Sequence, residues 1–164
     1  MTDSLEWRAQ LWLAVRLGAW LTVLPIRLRR HSLPKLLQRL TPRRPRVERS
    51  SPRERDAVVR LVMRLCRWRC FRGRLFPRLC VRQSLALYYV LAMLGEPVVL
   101  HVGVSKTGES LRGHSWVTVE GVPLGEPRRP EETFQAIYAC SASRTGDAGQ
   151  EVALMESRVE RREL

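Results

Sequence analysis

Residues 80–106, CVRQSLALYYVLAMLGEPVVLHVGVSK, contain the change of period that decides the fold. In the first part, Leu85, Tyr88, Tyr89 and Ala92 form one helical stripe, while Leu87, Val90, Leu91 and Leu94 fill the other side. A helix apolar on most faces belongs in the centre of a domain. Gly95 suits its C-terminal cap. From Pro97 to Ser105 β-branched residues take over and predict a strand. Residues 106–112 read as a turn and 114–120 (HSWVTVE) as a second strand. Gly121 marks a tight turn into a third strand over residues 122–126.

Upstream of Cys80 the pattern is helical. Residues 4–24 predict a helix with Ser4 as cap, apolar nearly all round and ended by Pro25. Residues 33–40 predict a second helix with Pro34 in its first turn. The stretch 41–55, TPRRPRVERSSPRER, reads as a loop or linker because of its prolines and charges. Val58, Leu61, Val62 and Leu65 then recur at helical spacing over residues 56–68. Helices first and an antiparallel sheet afterwards define an α+β fold. The expected organisation is a helical docking region over 1–45, a core over 46–138 and a flexible tail over 139–164.

The chain has 164 residues, 45% of them hydrophobic and 27% charged, which suffices for one globular domain. Its net charge of +13 is unevenly placed: residues 1–79 carry 20 basic and 5 acidic side chains, residues 80–164 carry 9 and 11. Nearly all the basic residues are Arg, Lys35 and Lys106 excepted. Such charge invites a nucleic-acid reading, but the absence of a zinc-finger spacing, an RNP-like motif or a helix-turn-helix to present it argues against that ligand. An Arg bias this strong can reflect genome composition. The charge fits a solvated or partner-facing surface, including one that meets an acidic peptide. The uninterrupted apolar run 17–26 is about half the ~20 residues of a spanning helix, so no transmembrane span is expected. Contact with a membrane surface remains open. An acidic N-terminus without a cationic segment and four irregularly spaced cysteines predict a reducing, cytoplasmic setting.

Cys80 stands where the basic loop gives way to the central helix, flanked by Arg78 and Arg82. Unpaired amides at a helix start and cationic neighbours favour a thiolate; a small buried residue is the alternative reading. Cys66 and Cys70 share a helix face, but no second pair completes a zinc site, and Cys140 shows no partner. Of the three histidines, His31 sits in a basic loop and His101 falls mid-strand, whereas His114 opens a strand on the face of Trp116. A cysteine nucleophile needs a base, and the base needs a third group to orient it. The chain contains no Asn, which leaves a carboxylate or Gln for that role. Gly121 sits at the left-handed position of a three-residue loop, so the expected loop is Val119, Glu120 and Gly121, which sets His114 opposite Glu126. A two-residue loop would set Glu126 opposite Ser115, on the wrong face. Glu120, Glu131 and Glu132 are the other candidate orienters.

Residues 80–126 resemble the transglutaminase-like cysteine peptidases of lasso-peptide biosynthesis, which remove the leader from a precursor peptide. Cys80, Arg82, Ser84, Leu85, Ala86, Leu87, Gly103, Val104, His114, Trp116, Val117 and Gly121 fit that pattern. Gln83 stands between Arg82 and Ser84, Ser115 replaces the usual Ala, and Glu126 stands where Asp is common. The resemblance implies a papain/transglutaminase-like core with Cys80 as nucleophile, His114 as general base and acid, and Glu126 as third member. It implies no metal or cofactor. The partners it implies are the precursor leader peptide, a small leader-recognition protein and a lasso cyclase. An inert transglutaminase-like module that binds peptide or protein is the alternative, as is a transferase in which an amine resolves the thioester.

Overall fold

The computed structural model describes residues 3–41, 51–68, 78–107 and 110–142. Among the described residues four α-helices precede and cover an antiparallel sheet: α1 (Asp3–Arg30), α2 (Leu33–Leu40), α3 (Pro52–Cys66), α4 (Leu79–Met93), β1 (Val98–Thr107), β2 (Ser110–Val119), β3 (Val122–Pro123) and β4 (Gln135–Ser141). The sheet order is β3-β2-β1-β4. The α+β class expected from the sequence is the class observed.

Helix α4 lies on one face of β1 and β2, and α3 packs behind it. Leu85, Leu87 and Leu91 of α4, Leu100 of β1 and Val117 of β2 are all buried in a single core. Leu17, Leu21 and Leu24 of α1 and Leu36 and Leu37 of α2 join the same core, so the N-terminal helices are built into the domain that carries the sheet. Gly95 takes φ 79° just beyond α4, the left-handed conformation that ends a helix cheaply in glycine.

Several boundaries differ from the sequence reading. Helix α1 runs through Pro25 to Arg30. The proline removes one amide donor, but Leu24 is fully buried and Leu28 packs against the core, holding the helix on both sides of it. Helix α3 starts at Pro52, inside the stretch read as linker, because Ser51 accepts from the Glu54 amide at 3.2 Å. Ser, then Pro, then Glu at the third helical position is a capping signature. Strands β1 and β2 are ten residues each, so most of the expected turn at 106–112 is paired strand, down to Thr107 opposite Ser110.

Strand β4 takes in residues 139–141, which the sequence reading gave to the tail. It pairs with β1 and carries a bulge at Val102 and Gly103. Ala142 follows it, and its amide donates to Val98 O at 2.9 Å. Residues 143–164, the linker over 42–50 and the basic loop with Cys70, Gly73 and Pro77 lie outside the described residues.

Candidate functional site

Arg78 caps α4, which puts Cys80 in the first turn, where backbone amides lack carbonyl partners within the helix. The thiol is free and half-buried. Arg78 lines the same cleft as Cys80. Arg82 does not act as a second flank. Two residues on is about 200° around a helix, and Arg82 is buried there, its Nη2 donating to the Cys66 carbonyl at the end of α3 at 2.6 Å. One turn beyond the thiol, Ser84 Oγ donates to Ser115 Oγ at 3.0 Å and fixes α4 to β2.

His114 and Glu126 meet: Nε2 and Oε1 are 3.1 Å apart, with both side chains about four-fifths buried. The register that brings them together is not the expected one. Val119 pairs with Val122 and Thr118 with Pro123, so the loop has two residues, Glu120 and Gly121, at φ 52° and 77°. Two successive left-handed residues make the turn that matches strand twist. Gly121 is left-handed in both loop types, and its presence therefore could not discriminate between them. Continued strictly, this register would send Glu126 to the wrong face. The strand stops instead. Pro123 has no amide to extend the ladder, the Leu124 amide makes one more bond to Val117 O at 3.0 Å, and Gly125 turns the chain at φ 74°. Alternation is broken before position 126, and the carboxylate swings back to the imidazole.

A layer of rings supports His114. Ser115 points to α4, and the alternating residues His114 and Trp116 take the other face of the sheet. Trp116 is buried and stacks on His101 at 5.3 Å and on His114 at 6.0 Å; Phe134 closes against His114 at 5.0 Å. Trp116 Nε1 donates to Glu131 Oε1 at 3.0 Å, so that carboxylate serves the indole rather than the imidazole. Gly103 is the floor beneath. A Cβ there would lie 2.8 Å from Gln135 O and 2.9 Å from the Trp116 ring. The sequence reading missed Phe134, and only its aromatic character, next to a run with Ile137 and Tyr138, could have signalled it.

Cys80 and His114 line one cleft of about 220 Å³, Cys80 from α4 and His114 from β2. Val81, Leu85, Leu100 and Val102 make its walls apolar. Among the described contacts no hydrogen bond joins the thiol to the ring; such bonds commonly tighten only when substrate is present.

The remaining candidates lie elsewhere. His31 Nε2 is 2.9 Å from Arg39 Nη1, and His101 Nε2 is 3.0 Å from Thr118 Oγ1. Cys66 is buried, and desolvation pushes its thiol up to about 11 despite Arg82 beside it. Cys140, expected without a partner, lies 3.8 Å from the Tyr88 hydroxyl. Among the described residues no three His, Cys, Asp or Glu side chains gather into a metal-binding group.

Neither any curated protein nor any solved structure matches the chain. A family does. Residues 20–139, well over half of the length, match the Transglutaminase-like superfamily. The match begins at residue 20, inside α1, and ends on β4, so it takes in the last turns of α1, helices α2 to α4 and the sheet, while residues 3–19 of α1 precede it. Members of that superfamily are typically cysteine peptidases or transglutaminases. The chain belongs to the transglutaminase-like superfamily.

Proposed function

We propose that the protein is a cysteine peptidase that removes the leader from a lasso-peptide precursor through a thioester intermediate. The observation that carries the chemistry is the 3.1 Å contact between His114 Nε2 and Glu126 Oε1 beside a cleft that Cys80 also lines. A carboxylate only accepts hydrogen bonds, so it holds the proton of the neutral ring on Nε2 and leaves the Nδ1 lone pair for the thiol. The leader specificity rests on the sequence pattern from Cys80 to Glu126.

In this reading Cys80 yields its proton to His114, and the thiolate attacks the carbonyl at the leader–core junction. The Cys80 amide, at a helix start, donates to the developing oxyanion. Collapse breaks the C–N bond, and His114 passes the proton to the departing core amine. Water, deprotonated by His114, then hydrolyses the thioester and frees the leader acid. The apolar cleft walls favour an apolar side chain next to the cut. The leader-recognition protein would deliver the precursor and the cyclase would take the released core, in the cytoplasm.

Reconstituted cleavage of precursor tests the reading. Cys80→Ala abolishes release of leader and leaves the circular dichroism spectrum intact; a variant that still cleaves removes Cys80 from the mechanism. Alkylation at neutral pH separates a peptidase from an inert binding module. Cys80 reacts fastest in the enzyme, whereas a Cys80 no faster than buried Cys66 favours the module.

A further inference from the structure

Helix α1 buries one face in the core and leaves an apolar face uncovered. Leu17, Leu21 and Leu24 are fully buried, whereas Leu11, Trp12, Val15, Val23 and Ile26 are 55%, 61%, 65%, 41% and 52% exposed. At 100° per residue those five side chains fall within one arc, a stripe of about 22 Å from Leu11 to Ile26. Arg16 and Arg27 border the stripe on one side, and Arg29 and Arg30 close its end. No acidic residue occurs between Leu11 and Thr41. The outermost indole is held in place: Arg16 lies 5.1 Å above the Trp12 ring and donates from Nη2 to the Tyr89 hydroxyl at 3.1 Å.

We infer that this face of α1 docks the protein on an anionic lipid bilayer, lying in the interface with its apolar stripe in the acyl boundary and its arginines among the headgroup phosphates. The segment Leu11–Arg30 is long and apolar enough to cross a membrane. Its buried leucines keep it on the domain, because a spanning position would strip Leu17, Leu21 and Leu24 from the core. An apolar stripe with cations at its margins is the pattern of interfacial helices. A second copy is the poorer occupant. Joining two such faces would bring their arginine borders together in chains that each carry +13. Anionic phosphates meet the same border with opposite charge.

The inference is independent of the peptidase reading, and the full-length chain tests it by flotation with vesicles. The protein is expected to float with phosphatidylcholine vesicles containing phosphatidylglycerol, not with phosphatidylcholine alone, and added salt should weaken the association. Replacing Val15 and Ile26 together by Glu, at exposed positions that leave the core intact, lowers binding roughly tenfold or more. Arg27→Gln lowers it about fivefold. Circular dichroism and the reactivity of Cys80 stay as in the wild type. Equal association with both kinds of vesicle, or undiminished binding of the double variant, overturns the assignment. So does a wild-type dimer that the double variant dissolves, or an acidic peptide that binds the stripe while anionic vesicles do not.

Discussion

His114 and Glu126 touch at 3.1 Å although the strand that leads to Glu126 ends three residues before it. The contact is made by a break in the sheet, at Pro123 and Gly125, and not by the ladder. In the mechanism proposed above, a carboxylate delivered in this way would fix the tautomer of the ring it meets and stabilise the imidazolium formed during attack. Glu126→Gln keeps an acceptor in reach and removes the charge. Cleavage should fall by roughly tenfold to a hundredfold, less than on loss of Cys80, because both partners keep some solvent exposure that screens the pair. Steady-state kinetics check this. An unchanged rate moves the orienting role to Glu120 or Glu132, since Glu131 is engaged by Trp116.

The parts of this site that depend on local period were legible in the sequence. The run from Leu85 to Leu94 announces a buried helix whichever partners surround it, and it places Cys80 in a first turn. The ends of elements were less legible. Gly121 is compatible with two hairpin loops, and whether Glu120 joins it at positive φ depends on strand twist rather than on residue type. Pro25 normally closes a helix, yet burial of Leu24 and packing of Leu28 outweigh the lost hydrogen bond. Strand β4 carries only Ile137 and Tyr138 as strong strand formers among small residues, and its pairing with β1 is non-local. Arg82 looked like a flank of Cys80 because adjacency in sequence conceals a rotation of some 200°.

Alkaline pH should loosen the packing of α4 against α3, where Cys66 lies, and against β4, where Tyr88 and Tyr138 lie near Cys140. Desolvation holds the Cys66 thiol at about 11 against its ordinary 9.0, and Tyr138 at about 12 against 10.0. Burial raises Tyr88 as well. Each group ionises more readily in the unfolded chain, which therefore loses its proton first as pH rises. The stability these groups contribute is complete below pH 9 and drains away through pH 11 to 12. Urea midpoints at pH 8, 10 and 11 should fall in that order. Cys66→Ala lowers the midpoint throughout by opening a cavity, and it also flattens the decline between pH 9 and 11. An equally steep decline in that variant removes Cys66 as a cause.

The floor under Trp116 has no room for a methyl group. With Gln135 O at 2.8 Å and the indole at 2.9 Å from an added Cβ, Gly103→Ala must shift β4 or the ring. Such overpacking costs about 1–3 kcal/mol and should lower Tm by several degrees. Because Trp116 stacks on His114, cleavage should drop by more than the loss of folded protein explains. A thermal melt and a rate measured well below Tm distinguish the two effects. A variant with normal kcat and only a lower Tm would reduce Trp116 to packing.

The hydroxyl pair that pins α4 to β2 should respond asymmetrically. Ser84 Oγ reaches both Ser115 Oγ at 3.0 Å and Val81 O at 3.2 Å, and both serines are buried. Ser115→Ala leaves Ser84 its bond to Val81, so that variant should lose under about 1 kcal/mol. Ser84→Ala leaves the Ser115 hydroxyl buried without that partner and should lose about 1–3 kcal/mol. Replacing both removes the stranded group together with its cause, and the double variant should recover part of the Ser84→Ala loss. Urea denaturation of the four proteins closes the cycle. If the two losses simply add, the hydroxyls are not coupled, and the alignment of Cys80 with β2 rests on the apolar packing of α4 against the sheet.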